Sequence, residues 1–179
     1  LLGDFRLECD EKTVNAVNTP RLQSFLAYLI LHRHAPQPRQ HVSFVLWPDS
    51  SEAHARGSMR KLLHQLNHAL PNTGRLLDVN AKTVRWHPNA AFTLDVAEFE
   101  NAAGDFDSLP ALRRAVELYR GDLLPSCYDE WIIPERERLL QLFTTTLERI
   151  IYLFESQRDY GNAIYYAQIF LRHAPVHEE

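Results

Sequence analysis

The sequence predicts a mainly α protein with small β elements: a winged helix-turn-helix domain over residues 1–93, followed by an all-α, tetratricopeptide-like domain over 94–179. Three observations carry this reading. Apolar residues recur at helical spacing in three consecutive segments of the first half. Short alternating stretches lie before and after those segments, and from Leu94 onward the pattern is helical throughout.

The opening stretch, from Leu1 through Phe5, Leu7 and Cys9 to Val14 and Val17, alternates apolar and polar residues about Cys9-Asp10-Glu11-Lys12, a strand-turn-strand pattern. Thr19 is a suitable N-cap and Pro20 suits the first helical position, where a missing N–H costs nothing. Leu22, Phe25, Leu26 and Leu29 then predict a buried helix to about Arg33, broken by Ala35-Pro36-Gln37-Pro38. A shorter helix carrying Val42, Val45 and Leu46 ends at Trp47-Pro48. Asp49-Ser50-Ser51-Glu52 opens a third, which runs to about Leu70.

In the third helix Met59, Leu62, Leu63, Leu66 and Leu70 make one buried stripe. A turn of 100° per residue sets Lys61, His64 and His68 on the opposite face, flanked by His54, Arg60 and Gln65. A helix entering a major groove needs such a face, with cations for phosphate and Arg, Lys, Gln or His for base edges. Leu77 and Val79, then Val84 and Trp86, alternate on either side of Asn80-Ala81-Lys82, which predicts a hairpin with Lys82 and Arg85 exposed near its tip. A hairpin after three helices is the wing that flanks a recognition helix and meets the phosphate backbone. Arg56, Arg60, Lys61, His64, Gln65, His68, Lys82 and Arg85 are therefore the candidate DNA-binding residues.

In the second half, Asp95 and Glu98 are spaced as in a capping box, and Leu112, Ala115, Val116 and Tyr119 form a stripe that stops at Gly121. After Pro134 come two longer amphipathic stretches. One carries Leu139, Phe143, Leu147, Ile150 and Phe154, the other Tyr160, Ala163, Ile164, Ala167 and Leu171, joined at Arg158-Asp159 and closed by Pro175. Asp159-Tyr160, Ala163 and Pro175 stand where a tetratricopeptide repeat places turn residues, a small residue and a closing proline.

Composition bounds the function. Apolar residues make up 45% and charged residues 23% of 179, the balance of an ordinary globular protein with room for two cores. The apolar run at Phe25 to Leu31 is cut by His32, Arg33 and His34, which excludes a membrane span. The sequence shows no signal-peptide pattern, and Cys9 and Cys127 lack any C-x-x-C spacing, which favours a reducing, cytoplasmic home. Leu1 stands where an initiator Met would, and the chain ends on His177-Glu178-Glu179, so a piece of a longer protein, truncated within its second domain, is expected. Net charge is −4, but residues 1–95 hold 11 Lys/Arg against 8 Asp/Glu plus seven of the nine His, whereas 96–179 hold 8 against 15. A basic part joined to an acidic one fits a nucleic-acid-facing half and a protein-facing half.

No enzyme is expected. No phosphate-cradling Gly-rich loop, G-x-S-x-G or H-E-x-x-H motif occurs, and nothing calls for a cofactor. His64 and His68 at i, i+4 could ligate a metal, but no carboxylate or Cys stands nearby in sequence, so no metal site is assigned. Acidic neighbours such as Glu135 and Glu137 point apart on a helix, and Trp47, Trp86 and Trp131 fit core packing better than base stacking.

Four stretches together resemble the SARP-like bacterial activators, in which an OmpR-type winged helix precedes a bacterial transcriptional activator domain. Leu46-Trp47-Pro48-Asp49 looks like the end of the family's second helix, and Arg56 to Leu70, RGSMRKLLHQLNHAL, is similar to its recognition helix. Leu94 to Glu100 looks like the interdomain junction. Tyr119 to Pro125, with Asp129-Glu130-Trp131 and Glu135 to Leu139, looks like the heart of the activator domain. The sequence departs from the pattern at Gln65, Asn67 and His68, where the family's recognition helix usually has two or three arginines. The resemblance implies sequence-specific binding to double-stranded promoter DNA, often at direct repeats as a homodimer, and recruitment of RNA polymerase. The alternative is a winged-helix and TPR-like protein-interaction module of a larger signalling protein, with little affinity for DNA.

Overall fold

The computed structural model describes residues 1–71 and 73–173. The chain forms two compact units, and each draws on separate stretches of sequence. A winged-helix unit comprises Phe5–Phe92 and Ser126–Trp131; a helical unit comprises Leu1–Asp4, Thr93–Pro125 and the chain from Ile132 onward. Four N-terminal residues and the strap 126–131 thus lie on the other side of a simple 93/94 division.

In the winged-helix unit, β1 (Glu8–Cys9) and β2 (Lys12–Thr13) pair antiparallel through a two-residue turn at which Asp10 and Glu11 both take positive φ, 50° and 62°. That is the geometry a tight hairpin demands, because the mirror-image turn matches the twist of its strands. Helix α1 (Pro20–Leu31) starts as its sequence dictates: the Thr19 hydroxyl accepts from the Leu22 amide at 3.3 Å, and Pro20 opens the first turn. Its Phe25, Leu26 and Leu29 are nearly inaccessible to solvent and form the centre of the core with Val42, Leu46, Met59 and Leu66.

The Pro-rich break after α1 holds a strand that alternation does not show. β3 (Gln37–Pro38) sets Gln37 opposite Val84 and forms one edge of a three-stranded sheet ordered β3-β5-β4, where β4 is Leu77–Val79 and β5 is Thr83–Trp86. An edge is where a proline, which has no N–H for a ladder, is tolerated. Between β3 and β4 run α2 (Arg39–Leu46), α3 (Glu52–Ala69) and the single turn α4 (Thr73–Leu76). Leu77 faces Trp86 and Val79 faces Val84 across the β4–β5 hairpin, in the alternation the sequence shows.

In the helical unit, α5 (Asp95–Gly104) and α6 (Leu109–Leu118) are the two short helices expected. The capping box at Asp95 and Glu98 is not formed. Leu94 is the N-cap and its side chain has no acceptor to offer, while the Asp95 carboxylate accepts from the Val96 amide through one oxygen and from the Leu2 amide through the other, both at 2.8 Å. Glu98 instead meets Arg114 at 3.8 Å. Gly121, expected to stop the preceding helix, lies three residues past its end with φ 144°; a Cβ there would stand 3.3 Å from the Gly3 Cα. Gly3 itself, at φ 81°, donates from its amide to Asp122 O at 2.9 Å, and the N-terminal residues lie antiparallel to Leu123.

The long α7 (Ile133–Ser156) and α8 (Tyr160–His173) form the helical hairpin. Its corner is a Schellman motif with Arg158 in the left-handed position: Asp159 N–H donates to Phe154 O and Arg158 N–H to Glu155 O, both at 2.9 Å. On α7 the expected stripe of Leu139, Phe143, Leu147, Ile150 and Phe154 is buried. On α8 it is not. Ala163 is buried together with Tyr166, which stacks on Phe154 at 5.7 Å, whereas Tyr160, Ile164 and Leu171 are 60–73% exposed. The stacking of a large ring selects the inward face over the aliphatic residues. Pro175 and the terminal His177-Glu178-Glu179 lie outside the described residues. None of the helices is long and apolar enough to cross a membrane among the described residues.

Candidate nucleic-acid interface

The interface is built on α3. Ser51 is its N-cap, with its hydroxyl accepting from the His54 amide at 3.4 Å, and Glu52 sets a negative charge in the first turn, where the helix dipole favours it. Ala55, Met59, Leu62 and Leu66 anchor the helix in the core. Leu63, expected within the buried stripe, is only half-buried. Of the candidate residues on this helix, Arg56, Arg60, Lys61, His64, Gln65 and His68 are all exposed.

These residues do not form one face. Arg56, Arg60, His64 and Asn67 follow each other at steps of four, four and three and make a single ridge along α3. That ridge borders two grooves of the winged-helix unit. The larger, about 1230 Å³, is lined by Arg56 and Arg60 of α3, Arg39 and Phe44 of α2, and Lys82 of the wing. The smaller, about 380 Å³, brings Arg60, His64 and Asn67 against Arg39 and Val79. Lys61, Gln65 and His68 line neither groove and stand further round the helix, although the His64 and His68 rings meet edge to face at 4.4 Å. No group of three or more His, Cys, Asp or Glu able to hold a metal ion exists among the described residues.

The wing is pinned rather than loose. Asn80 closes its tip, its side-chain oxygen accepting from the Lys82 and Thr83 amides at 2.8 Å each. Arg39, the first residue of α2, donates from its backbone N–H to Lys82 O at 2.8 Å and from its guanidinium to Asn80 O at 3.0 Å. Lys82 is left exposed beside the groove. Arg85 differs from the expectation: it is half-buried on β5 and its Nε donates to Arg33 O at 3.4 Å, because the strand register turns it back toward the end of α1.

Two further residues shape the electrostatics. Arg39 is a cation of the groove that periodicity did not single out, since it sits at the start of a short helix after two prolines; its backbone pairing with the wing is visible only in three dimensions. Arg56 carries its own counter-charge. Its guanidinium is paired with Glu52 one turn back, and the Glu52 carboxylate also accepts from Gln40 Nε2 of α2 at 3.2 Å. Of the four groove cations Arg39, Arg56, Arg60 and Lys82, Arg56 is thus already engaged by a carboxylate.

The three tryptophans are structural in different degrees. Trp86 is buried edge-on to Phe92 at 5.4 Å, whereas Trp47 and Trp131 are half-buried. Trp131 lies in the strap, where its indole N–H donates to the Ser24 hydroxyl at 3.1 Å and its ring meets Tyr28 edge-on at 5.3 Å.

No family model matches the sequence, and no curated protein matches it. Among solved structures the chain is similar to Mycobacterium tuberculosis EmbR in complex with a low-affinity phosphopeptide, at a TM-score of 0.62 and 20% identity. The match takes in 89% of this chain and 48% of that one, so the chain spans about half the length of its structural neighbour. The fold shared with EmbR is that of a winged helix joined to a helical domain, with small antiparallel sheets.

Proposed function

We propose that this chain is the DNA-binding and activator portion of a SARP-type bacterial transcription regulator. The winged-helix unit binds double-stranded promoter DNA with α3 in the major groove and the wing on the adjacent backbone. The helical unit contacts RNA polymerase, or a second protomer when two copies occupy direct repeats. The observation that carries the reading is the groove in which Arg56 and Arg60 of the recognition helix, Arg39 of α2 and Lys82 of the wing meet. Four cations on two helices and a hairpin suit a phosphate backbone that crosses all three elements, and the ridge of Arg60, His64 and Asn67 offers donors and acceptors to base edges. The structural likeness to EmbR supports the same class by analogy of fold. On this reading the protein works where the chromosome is, in the cytoplasm.

The rival reading, a protein-interaction module with little DNA affinity, draws on the pairing of Arg56 with Glu52 and on the net charge of −4. Selection from random duplexes at low salt separates the two. The proposal expects an enriched motif and an affinity whose logarithm falls linearly with the logarithm of salt, with a slope of roughly three to four for three or four phosphate contacts. No enrichment and a flat salt plot would leave the rival standing.

A further inference from the structure

The second half of the sequence supplies a side chain that holds the helix-turn-helix in register. The strap 126–131 belongs to the winged-helix unit although the residues on either side of it belong to the helical one. Within that unit Asp129 binds Arg21 of α1 at 2.8 Å, and it also accepts from the buried Ser24 hydroxyl and the Cys127 thiol, the latter at 3.7 Å. The same Nη1 of Arg21 that meets Asp129 also donates to Leu46 O at 2.7 Å. The Arg21 guanidinium further lies over the Trp47 ring, 5.7 Å from its centroid. Leu46 is the last residue of α2 and Trp47 its C-cap, so both attachments fall where α2 gives way to the turn that ends at Ser51, the N-cap of α3.

The last carbonyls of a helix have no partner within it and need one from outside. Arg21 provides that partner for Leu46, and a long, flexible arginine does so in one geometry only if its charge is fixed from the other side. Asp129 fixes it. We propose that Asp129, acting through Arg21, is a positioning residue for the recognition helix: it sets the α2–α3 turn, and through it the angle at which α3 is presented. This rests on the DNA-binding reading for its consequence but not for its mechanics.

The test uses the full chain and two variants, Asp129→Asn and Arg21→Lys. Lysine keeps the charge opposite Asp129, but its ammonium lies one bond nearer its own backbone than Nη1 and has no plane to lay over Trp47, so it does not meet Asp129, Leu46 O and that ring in one geometry. Amide hydrogen exchange is read at Ser50 and Ala55, whose N–H groups donate to Trp47 O and Ser51 O in the turn and first turn of α3, and at Val84 and Trp86 in β5 as a control. Affinity for the duplex selected by the wild type is measured alongside. Both variants should exchange faster at Ser50 and Ala55, leave the β5 amides unchanged, and bind about 3- to 20-fold more weakly, the range of ordinary coupling through a contiguous network. Unchanged exchange at the turn overturns the proposal, as does acceleration spread evenly over the turn and the sheet, which is the mark of a merely structural ion pair. Should Asp129→Asn fail to fold, Arg21→Lys decides alone. A wild type that selects no duplex, with turn exchange still responding, overturns the DNA-binding reading and leaves the relay in place.

Discussion

Arg21 and Asp129, separated by 108 positions in the chain, form an ion pair of 2.8 Å inside the winged-helix unit, beside a Ser24 hydroxyl that is 1% exposed. A fragment cut at residue 95 looks natural from the sequence, yet it would lack this strap and leave the Ser24 hydroxyl and the face of Tyr28 without Asp129 and Trp131. A buried hydroxyl that loses its partners costs about 1–3 kcal/mol. The winged helix of residues 1–95 should therefore melt below its counterpart in the full chain, and Trp131→Ala should reproduce part of the loss. Equal melting temperatures in the fragment and the full chain would show that the strap adds nothing to stability.

Glu52 restrains Arg56. Replacing it by Gln keeps the shape and the hydrogen bond from Gln40 but removes the negative charge beside the guanidinium. Glu52→Gln should bind random-sequence duplex more tightly than the wild type, with a salt slope steeper by about one as Arg56 becomes available to phosphate. Selectivity for the preferred motif should fall in the same experiment, because the gain is independent of sequence. An unchanged slope would place Arg56 away from the backbone.

Two positions with left-handed backbone should respond in opposite directions. Arg158 occupies the Schellman position of the α7–α8 corner at φ 60°, where glycine bears no Cβ penalty. Arg158→Gly should raise stability by about 0.5–1 kcal/mol. Gly3→Ala should lower it by roughly 1–3 kcal/mol, since the new Cβ would stand 2.8 Å from the Arg120 carbonyl oxygen, a backbone atom with no rotamer to escape into. Chemical denaturation of the full chain reads both, and the predicted order of midpoints is Arg158→Gly, wild type, Gly3→Ala.

Tyr119 gives the helical unit a signature at high pH. It stacks on Phe143 at 4.2 Å, and burial, reinforced by the charge of Asp122 and a hydrogen bond to it, pushes the phenol up to about 12 from an ordinary value of 10. A raised pKa means that the folded state holds the proton more tightly than the unfolded one. Its contribution is therefore fully present below pH 10 and is lost as pH climbs from 10 toward 12. Stability of the wild type should fall across that window more steeply than that of Tyr119→Phe, which has no proton to lose. Parallel curves for the two proteins would mean that the phenol is not held out of water.

At the exposed end of the same scale, Asp159 caps α8, and its carboxyl is held below the usual carboxylate range by hydrogen bonds from the side chain and then the backbone of Asn162. The stabilisation it provides is present above the unfolded carboxylate pKa and fades as pH drops through the lower folded value. Asp159→Ala should be less stable than wild type at neutral pH, and the difference should narrow in acid. A gap that stays constant with pH would assign the effect to something other than the carboxylate.

Much of the architecture was legible in one dimension because its causes are local. Thr19-Pro20 and Ser51-Glu52 mark helix starts through caps that lie within three residues, and Leu77, Val79, Val84 and Trp86 announce a hairpin through alternation around a short polar tip. The exposed side of α3 was legible for the same reason, since a 100° turn per residue puts Arg60 and His64 outside once Met59, Leu62 and Leu66 are inside. What failed was whatever depended on a remote partner. Strand β3 hides between prolines and exists only because Val84 lies opposite Gln37. The α8 stripe was misassigned because the choice of its inward face belongs to the ring of Phe154 on another helix.

Local sequence sets the longer helices, the two hairpins and the polar side of α3, because caps, periodicity and turn chemistry act over a few residues. Tertiary packing alone brings Arg39 into the groove, turns Arg85 back to Arg33 and carries Asp129 to Arg21. Each of those is a charge meeting a partner from another element. Such a meeting is fixed by where the packed core brings two backbones together, and the spacing of letters in the chain carries no trace of it.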